Sequence, residues 1–308
     1  MTAPSLDHFR APRAIARAEH VDLSARTAAN LRSISDTLSP VDLLIICLAS
    51  LAAAALTLFS GFGLGTLLMP VFAIFFPVPV AIAATAIVHL ANNVFKFALL
   101  ARKANRRVAL WFGAASGAGA LLGAFMLTLL ADRPALYEWS FQFNSHEVHA
   151  QITIEKLVVA FVMLAFAVLE LAPETRDMAF PPRWLVPGGV LSGFFGGLSG
   201  HQGALRSAVL VRAGLTRESF IATGVVCAVI VDVCRLAVYG TSIHAHHWDI
   251  IRDHVGATGR LLLAACLAAF AGSFLGARLV KKTTISALRA IVGVGLVLLS
   301  ILLGIGLV

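Results

Sequence analysis

From residue 41 onward the chain is a succession of apolar runs separated by short polar stretches. The long runs fall at Val41–Phe59, Val80–Leu100, Val108–Leu130, Ile154–Leu171, Trp184–Leu198, Ser219–Tyr239, Arg260–Val280 and Ser286–Val308. Each comes near the ~20 residues a helix needs to cross a hydrocarbon core of ~30 Å. Two shorter runs, Thr66–Phe76 and Ala204–Gly214, each follow a glycine-rich stretch: Phe59-Ser60-Gly61-Phe62-Gly63-Leu64-Gly65 and Leu198-Ser199-Gly200-His201-Gln202-Gly203. A helix of such length covers roughly 16 Å, about half the core. The pattern predicts two broken helices, each followed by a half-helix. Open backbone is tolerated at membrane depth only where protein buries it or a polar cavity solvates it. Breaks in corresponding positions of two halves point to a transporter's substrate site.

Composition agrees with this reading, since hydrophobic residues make up 59% of the chain and charged residues only 13%, against about 25% charged in soluble domains. An all-helical polytopic membrane protein is expected. The first 40 residues carry five arginines and four acids without an apolar stretch, so they predict a polar arm rather than a cleaved signal peptide. The net charge of +8 is dispersed over loops without interleaved aromatics, which excludes nucleic acid as an expected partner. Cys47, Cys227, Cys234 and Cys266 lie inside apolar runs without metal or redox spacing and read as packing residues.

Aligning the breaks gives an internal period of about 139 residues. Ala84-Thr85 then falls beside Ala222-Thr223, Asn93-x-x-Lys96 beside Asp232-x-x-Arg235, and Gly119-x-x-x-Gly123 near Gly272-x-x-x-Gly276. Four shared features in order predict a duplication, with repeats at 41–172 and 184–308 joined by a linker at 173–183. Arg102, Lys103, Arg106 and Arg107 follow one crossing of the first half, whereas Lys281 and Lys282 follow the next crossing along in the second. Because basic loops stay cytoplasmic, the repeats are expected to be inverted, each a half-helix hairpin plus three spans. Both chain ends then fall outside the cytoplasm, and the segments Ala131–Thr153 and Gly240–Thr258 become outer loops.

Half-helices that start near the midplane aim unpaired N–H groups and a positive dipole end into the site, which suits an anion. Gly61, Gly63, Gly65, Gly200 and Gly203 would admit a ligand close to backbone, with Ser60 and Ser199 beside them; any single one of these glycines also fits close helix packing. Ionisable residues inside spans usually face a polar interior. His89, Asn92, Asn93 and Lys96 share one helix face. Asp232 and Arg235 repeat the motif and read either as site residues or as a local ion pair. Arg206, on a segment too short to cross, is the first choice for an anion contact. Thr85 and Thr223 are neutral donors. His201 and Gln202 occupy the second break; His201 either titrates, with His89 and Asp232, to couple protons to transport, or only donates a hydrogen bond. The histidines at 146, 149, 244, 246, 247 and 254 lack a companion Cys or carboxylate at fixed spacing, so no metal and no cofactor is expected.

These residues resemble the TauE/SafE family of membrane permeases. The resemblance rests on Ser60-Gly61-Phe62-Gly63-Leu64-Gly65 with Pro70, on Gly196-Gly197-Leu198-Ser199-Gly200-His201-Gln202-Gly203 with Arg206, and on the Gly-Ala-Leu-Leu-Gly and Gly-Ser-Phe-Leu-Gly strings, spanning roughly 41–305. The first break intersperses Phe62, Leu64 and Thr66 where the family runs glycines together. The second break carries His201-Gln202. The resemblance implies an inner-membrane carrier, proton-coupled, of sulfite, a sulfonate or a related organosulfur anion. The expected partners are that anion and the lipid bilayer, with a homodimer left open. An anion channel and a small-carboxylate carrier stand as alternatives. An intramembrane enzyme is not expected, because no nucleophile–base spacing links Ser60, Ser199, His89, His201 and Asp232.

Overall fold

In the computed structural model, which describes residues 39–60, 64–143, 146–172, 179–279 and 285–308, the first apolar run starts at a reciprocal cap. Ser39 N donates to Asp42 Oδ2 at 2.8 Å and Asp42 N donates to Ser39 Oγ at 3.2 Å, with Pro40 as the first helical residue. Helix α1 (Pro40–Ser60) leads to the first break, and α2 (Leu64–Phe75) follows it. Helix α3 (Val78–Leu100) starts from Pro77, and a 3-10 turn at Ala101–Lys103 leads to α4 (Arg106–Ala131), capped by Asn105 Oδ1 accepting from Val108 N at 3.1 Å. After a β-hairpin comes α5 (Ile154–Leu171), then α6 (Leu185–Ser199), α7 (Gly203–Leu210), α8 (Arg217–Leu279) and α9 (Ile285–Gly304). The arm up to residue 38, Gly61, Gly63, most of the linker and Lys281-Lys282 lie outside the described residues.

Helix α8 contains two of the expected spans, and its backbone is helical through the segment expected as a loop at 240–258. Asp232 and Ser273 nevertheless bond to His89 and Asn92, less than one turn apart on α3. In a straight helix those two residues of α8 would stand roughly 60 Å apart. The chain therefore doubles back between them, and its apolar arms are Arg217–Thr241 and Gly259–Gly276.

Glycines determine how closely the helices pack. On α4, a Cβ at Gly119 would overlap the carbonyl of Val190, and one at Gly123 the carbonyl of Phe194, both on α6. Gly193 and Gly197 of α6 answer against Ser116 and Ala120. In the same way Gly272 and Gly276, on the second arm of α8, lie against the backbone of Leu51 and Ala55 in α1. Each small-residue pair thus serves a broken helix from the opposite half of the sequence. Helices in contact this close gain dispersion energy without hydrophobic driving force from lipid.

Contacts also give direction. Helix α4 runs parallel to α6, and the second arm of α8 runs parallel to α1. Helix α3 is antiparallel to the first arm of α8, since Lys103 pairs with Glu218 at one end and His89 with Asp232 further along.

The stretch expected as a loop at 131–153 instead holds strands β1 (Tyr137–Phe143) and β2 (His146–Ile152), paired antiparallel. The all-helical expectation is corrected here, because Tyr137, Trp139, Phe141 and Phe143 alternate with polar residues at the period of a strand. The hairpin is tied to the end of α9: Trp139 Nε1 donates to Ile305 O at 2.9 Å and Gln151 N to Gly306 O at 3.1 Å.

Around this core the helices turn large apolar side chains outward, among them Leu99, Leu110, Phe161 and Ile291, each about two-thirds exposed or more. Among the described residues, four helical stretches are long and apolar enough to cross a membrane: Val78–Lys103, Arg106–Ala131 and the two arms of α8, Arg217–Thr241 and Gly259–Gly276. A surface of this kind suits lipid rather than water.

Candidate functional site

The second break turns on one residue. Gly200 adopts a left-handed conformation, φ +83°, and its N–H bonds to Gly196 O at 3.0 Å. A side chain there would be strained, so glycine is what lets α6 stop and α7 restart at Gly203. Carbonyls at the end of α6 also accept from side chains. Arg235 Nη1 donates to Gly196 O at 3.1 Å and Tyr239 Oη donates to Gly197 O. Ser192 Oγ holds the Gln202 carbonyl at 2.9 Å.

The first break comes up against the second. A Cβ on Gly65 would sit 3.2 Å from Gly200 O, 3.8 Å from His89 Cδ2 and 3.9 Å from Thr85 Cγ2. Gly65 and Thr66 open α2 in the interior, as buried residues. Two helix interruptions from distant parts of the sequence therefore share one place with a polar face of α3.

Beside them lies a buried network centred on Asp232. Its Oδ2 accepts from His89 Nδ1 at 2.6 Å, and its Oδ1 accepts from Arg235 Nη2 at 2.7 Å, Arg235 Nε at 3.1 Å and Gln202 Nε2 at 3.4 Å. A carboxylate only accepts, so His89 donates from Nδ1; Asn93 Nδ2 lies over the edge of the ring, 3.0 Å from Nδ1 and 3.3 Å from Nε2. Asp232 and Arg235 are both wholly buried. Of the two readings of that pair, the local ion pair is the arrangement observed, and Arg235 is fully engaged by Asp232 and Gly196.

Two further cations, Lys96 on α3 and Arg206 on α7, are buried nearby and are electrostatic neighbours. Arg206 lies against Gly224, where a Cβ would meet its Nε at 3.7 Å. Among the described residues, α3, α7 and the first arm of α8 thus bury three basic side chains, Lys96, Arg206 and Arg235, and one carboxylate, Asp232. Among the described residues, Thr85 Oγ1, Asn92 Nδ2, His201 Nε2 and Gln202 Oε1 are buried polar atoms without a hydrogen-bond partner. Leaving such a group unpaired costs about 1–3 kcal/mol; Ser116 Oγ and Glu155 Oε2, away from the breaks, are unpaired in the same way.

Other expected site residues have other work. Thr223 Oγ1 accepts from Asn105 N at 3.0 Å, joining α8 to the turn before α4. Ser199 Oγ donates to Phe195 O at 3.1 Å and meets His201 Nδ1 at 3.1 Å. His201 stacks on Phe166 of α5 at a centroid distance of 5.4 Å. The side chain of Ser60 lies outside the described residues, as do those of the histidines from 244 to 254. Sequence reasoning missed Ser273, whose Oγ donates to Asn92 Oδ1 at 2.7 Å, and Tyr239. Ser273 hides inside a glycine packing string. Tyr239, one of only two tyrosines and set in an apolar run, was a visible signal.

The family model of the sulfite exporter TauE/SafE matches residues 46–303, most of the chain. The chain belongs to the TauE/SafE family. The match takes in both breaks, the Asp232 network and both small-residue pairs. TauE/SafE proteins are membrane transporters rather than enzymes, so this chain is a transporter of sulfite or a related anion. Comparison with curated proteins and with solved structures finds no match.

Proposed function

We propose that the protein carries a small sulfur oxyanion or organosulfonate, sulfite foremost, across the inner membrane by alternating access at the meeting point of the two breaks. The observation that carries this reading is the buried charge on three elements at the breaks: among the described residues, α3, α7 and the first arm of α8 bury Lys96, Arg206 and Arg235 but only one carboxylate, Asp232, the buried Glu155 and Glu170 belonging to α5. Burying cations without counter-charge is costly, and an anion drawn into the site offsets that cost. Arg206 and Lys96 supply the charge and Thr85 and Asn92 the neutral donors. The N–H groups at the starts of α2 and α7, including those at Gly65 and Gly203, complete the cradle. Arg235 holds Asp232 and the end of α6 in place, and so shapes the cradle from behind.

The repeats at 41–172 and 184–308 are read as inverted copies. In support, α1 and α6 run in opposite directions, and each is gripped by the small-residue pair of the other half. Arg102, Lys103, Arg106 and Arg107 lie at the end of the bundle where Arg217 and Glu218 begin α8, which makes that end cytoplasmic. The hairpin and the end of α9 then face outward. Rocking of one half against the other would expose the shared site alternately to the two sides. Proton coupling is assigned to the His89–Asp232 pair with His201, since a proton on that hydrogen bond changes the charge facing the anion.

The test is thermal stabilisation of purified protein by sulfite, sulfonates, sulfate, thiosulfate and small carboxylates, because a ligand of the native state raises its melting point by mass action. A shift with sulfur oxyanions that disappears in Arg206→Ala supports the reading. A shift only with carboxylates would move the substrate class, and no shift with any anion would contradict it.

A further inference from the structure

The contacts along α3 and the first arm of α8 form a ladder whose geometry separates two levels inside the protein. His89 meets Asp232, and fourteen residues on, in the 3-10 turn that follows α3, Lys103 meets Glu218, fourteen residues back along α8. Lys96 is midway in sequence between His89 and Lys103 and so stands near the level of Val225, next to Gly224. Arg206 reaches that same level, its Nε 3.7 Å from the position a Cβ on Gly224 would take. Seven helical residues rise ~10 Å. Lys96 and Arg206 therefore form a cationic layer about 10 Å from the His89–Asp232 pair and about as far from the Lys103–Glu218 pair at the surface.

The carboxylates that α8 brings to this stretch are engaged elsewhere: Glu218 binds Lys103 and Asp232 binds Arg235 and His89. Lys96 makes no hydrogen bond or ion pair within the described residues, although only 8% of it is exposed. One turn away on the same helix face, Asn92 Nδ2 is a wholly buried donor without a partner among the described residues. Two like charges held at one level, with a spare donor beside them, match a compact ligand carrying two negative charges.

We infer that Lys96 and Arg206 form a station selective for dianions over monoanions, and that Lys96 sets this charge preference. The inference rests on the anion-carrier reading above and adds the charge state of the substrate to it. Each fixed cation attracts a dianion twice as strongly as a monoanion of the same size. Removing the Lys96 charge therefore costs the dianion about twice as much and, with Arg206 still in place, removes about half of the free-energy discrimination.

The experiment measures Kd for sulfate and thiosulfate, both dianions, and for methanesulfonate, a monoanion with a similar head, on detergent-purified protein. Wild type is expected to bind the better dianion at least about tenfold more tightly than methanesulfonate. Lys96→Gln should bring a tenfold ratio down to about threefold and Lys96→Arg should keep it. The inference is overturned if folded Lys96→Gln retains the wild-type ratio. It is also overturned if wild type binds methanesulfonate as tightly as either dianion, a result that needs no variant; anion transport would then still stand. If no anion binds wild type, the carrier reading and the dianion station fall together.

Discussion

His89 Nδ1 donates to Asp232 Oδ2 at 2.6 Å, joining α3 to the first arm of α8 inside the protein and beside both helix breaks. On its other oxygen Asp232 holds Arg235, which in turn caps the end of α6. One carboxylate thus fixes three separate elements, and its removal should be felt in folding before it is felt in transport.

Asp232→Ala leaves Arg235 buried and uncompensated, and should destabilise the protein by about 3–5 kcal/mol. Asp232→Asn combined with Arg235→Met removes both charges and should recover much of that loss. Melting in detergent, followed by size-exclusion chromatography, compares the two. A double variant no more stable than the single one would mean that the ion pair is not what holds these elements.

Thr85 and Thr223 look alike in sequence but should behave oppositely. Thr223→Val deletes the acceptor for Asn105 N–H and should cost about 1 kcal/mol or somewhat more, with anion affinity near wild type. Thr85→Val removes a buried hydroxyl without a partner among the described residues, so stability should hold or rise while anion affinity falls. Paired melting curves with and without sulfite read both effects. Equal loss of stability in the two variants would remove Thr85 from the site.

Gly123→Leu drives a side chain into the backbone of α6 at Phe194. Overpacking of this kind costs about 1–3 kcal/mol, occasionally more. The corresponding change at Gly272, against Leu51, should match it. If only one of the two pairs proves sensitive, the equivalence of the two halves loses its support.

Gly200→Ala places a side chain at φ +83°, costing about 1–2 kcal/mol. Gly65→Ala leaves ordinary helical backbone but crowds Gly200 O at 3.2 Å. The first should lower the melting point. The second should act mainly on anion binding, because it narrows the contact between the breaks. Affinity unchanged in Gly65→Ala would place the ligand away from that contact.

Much of this arrangement was legible in the sequence because membranes penalise irregular backbone so heavily. Glycine strings behind long apolar runs could mean little else, and the offset that aligned them also set Asn93 beside Asp232 and Lys96 beside Arg235. The β-hairpin carried its own signal in the alternation from Tyr137 to Phe143, yet a polar stretch between spans reads first as a loop. What sequence could not supply was partnership. Nothing in the spacing of Asp232 and Arg235 distinguishes an ion pair from two ligand contacts, and only the approach of Gly196 O and His89 decides how Arg235 is used. Ser273 stayed hidden for a related reason: a serine between glycines packs like a glycine unless a partner such as Asn92 faces it.

The central claim is anion transport at the meeting point of the two breaks, and the most direct measurement is flux of radiolabelled sulfite into proteoliposomes containing wild type or Arg206→Ala. The account predicts saturable flux in wild type and flux at the level of empty liposomes in Arg206→Ala, with that variant folded and inserted. Wild-type flux in Arg206→Ala, or flux that never saturates, would contradict it.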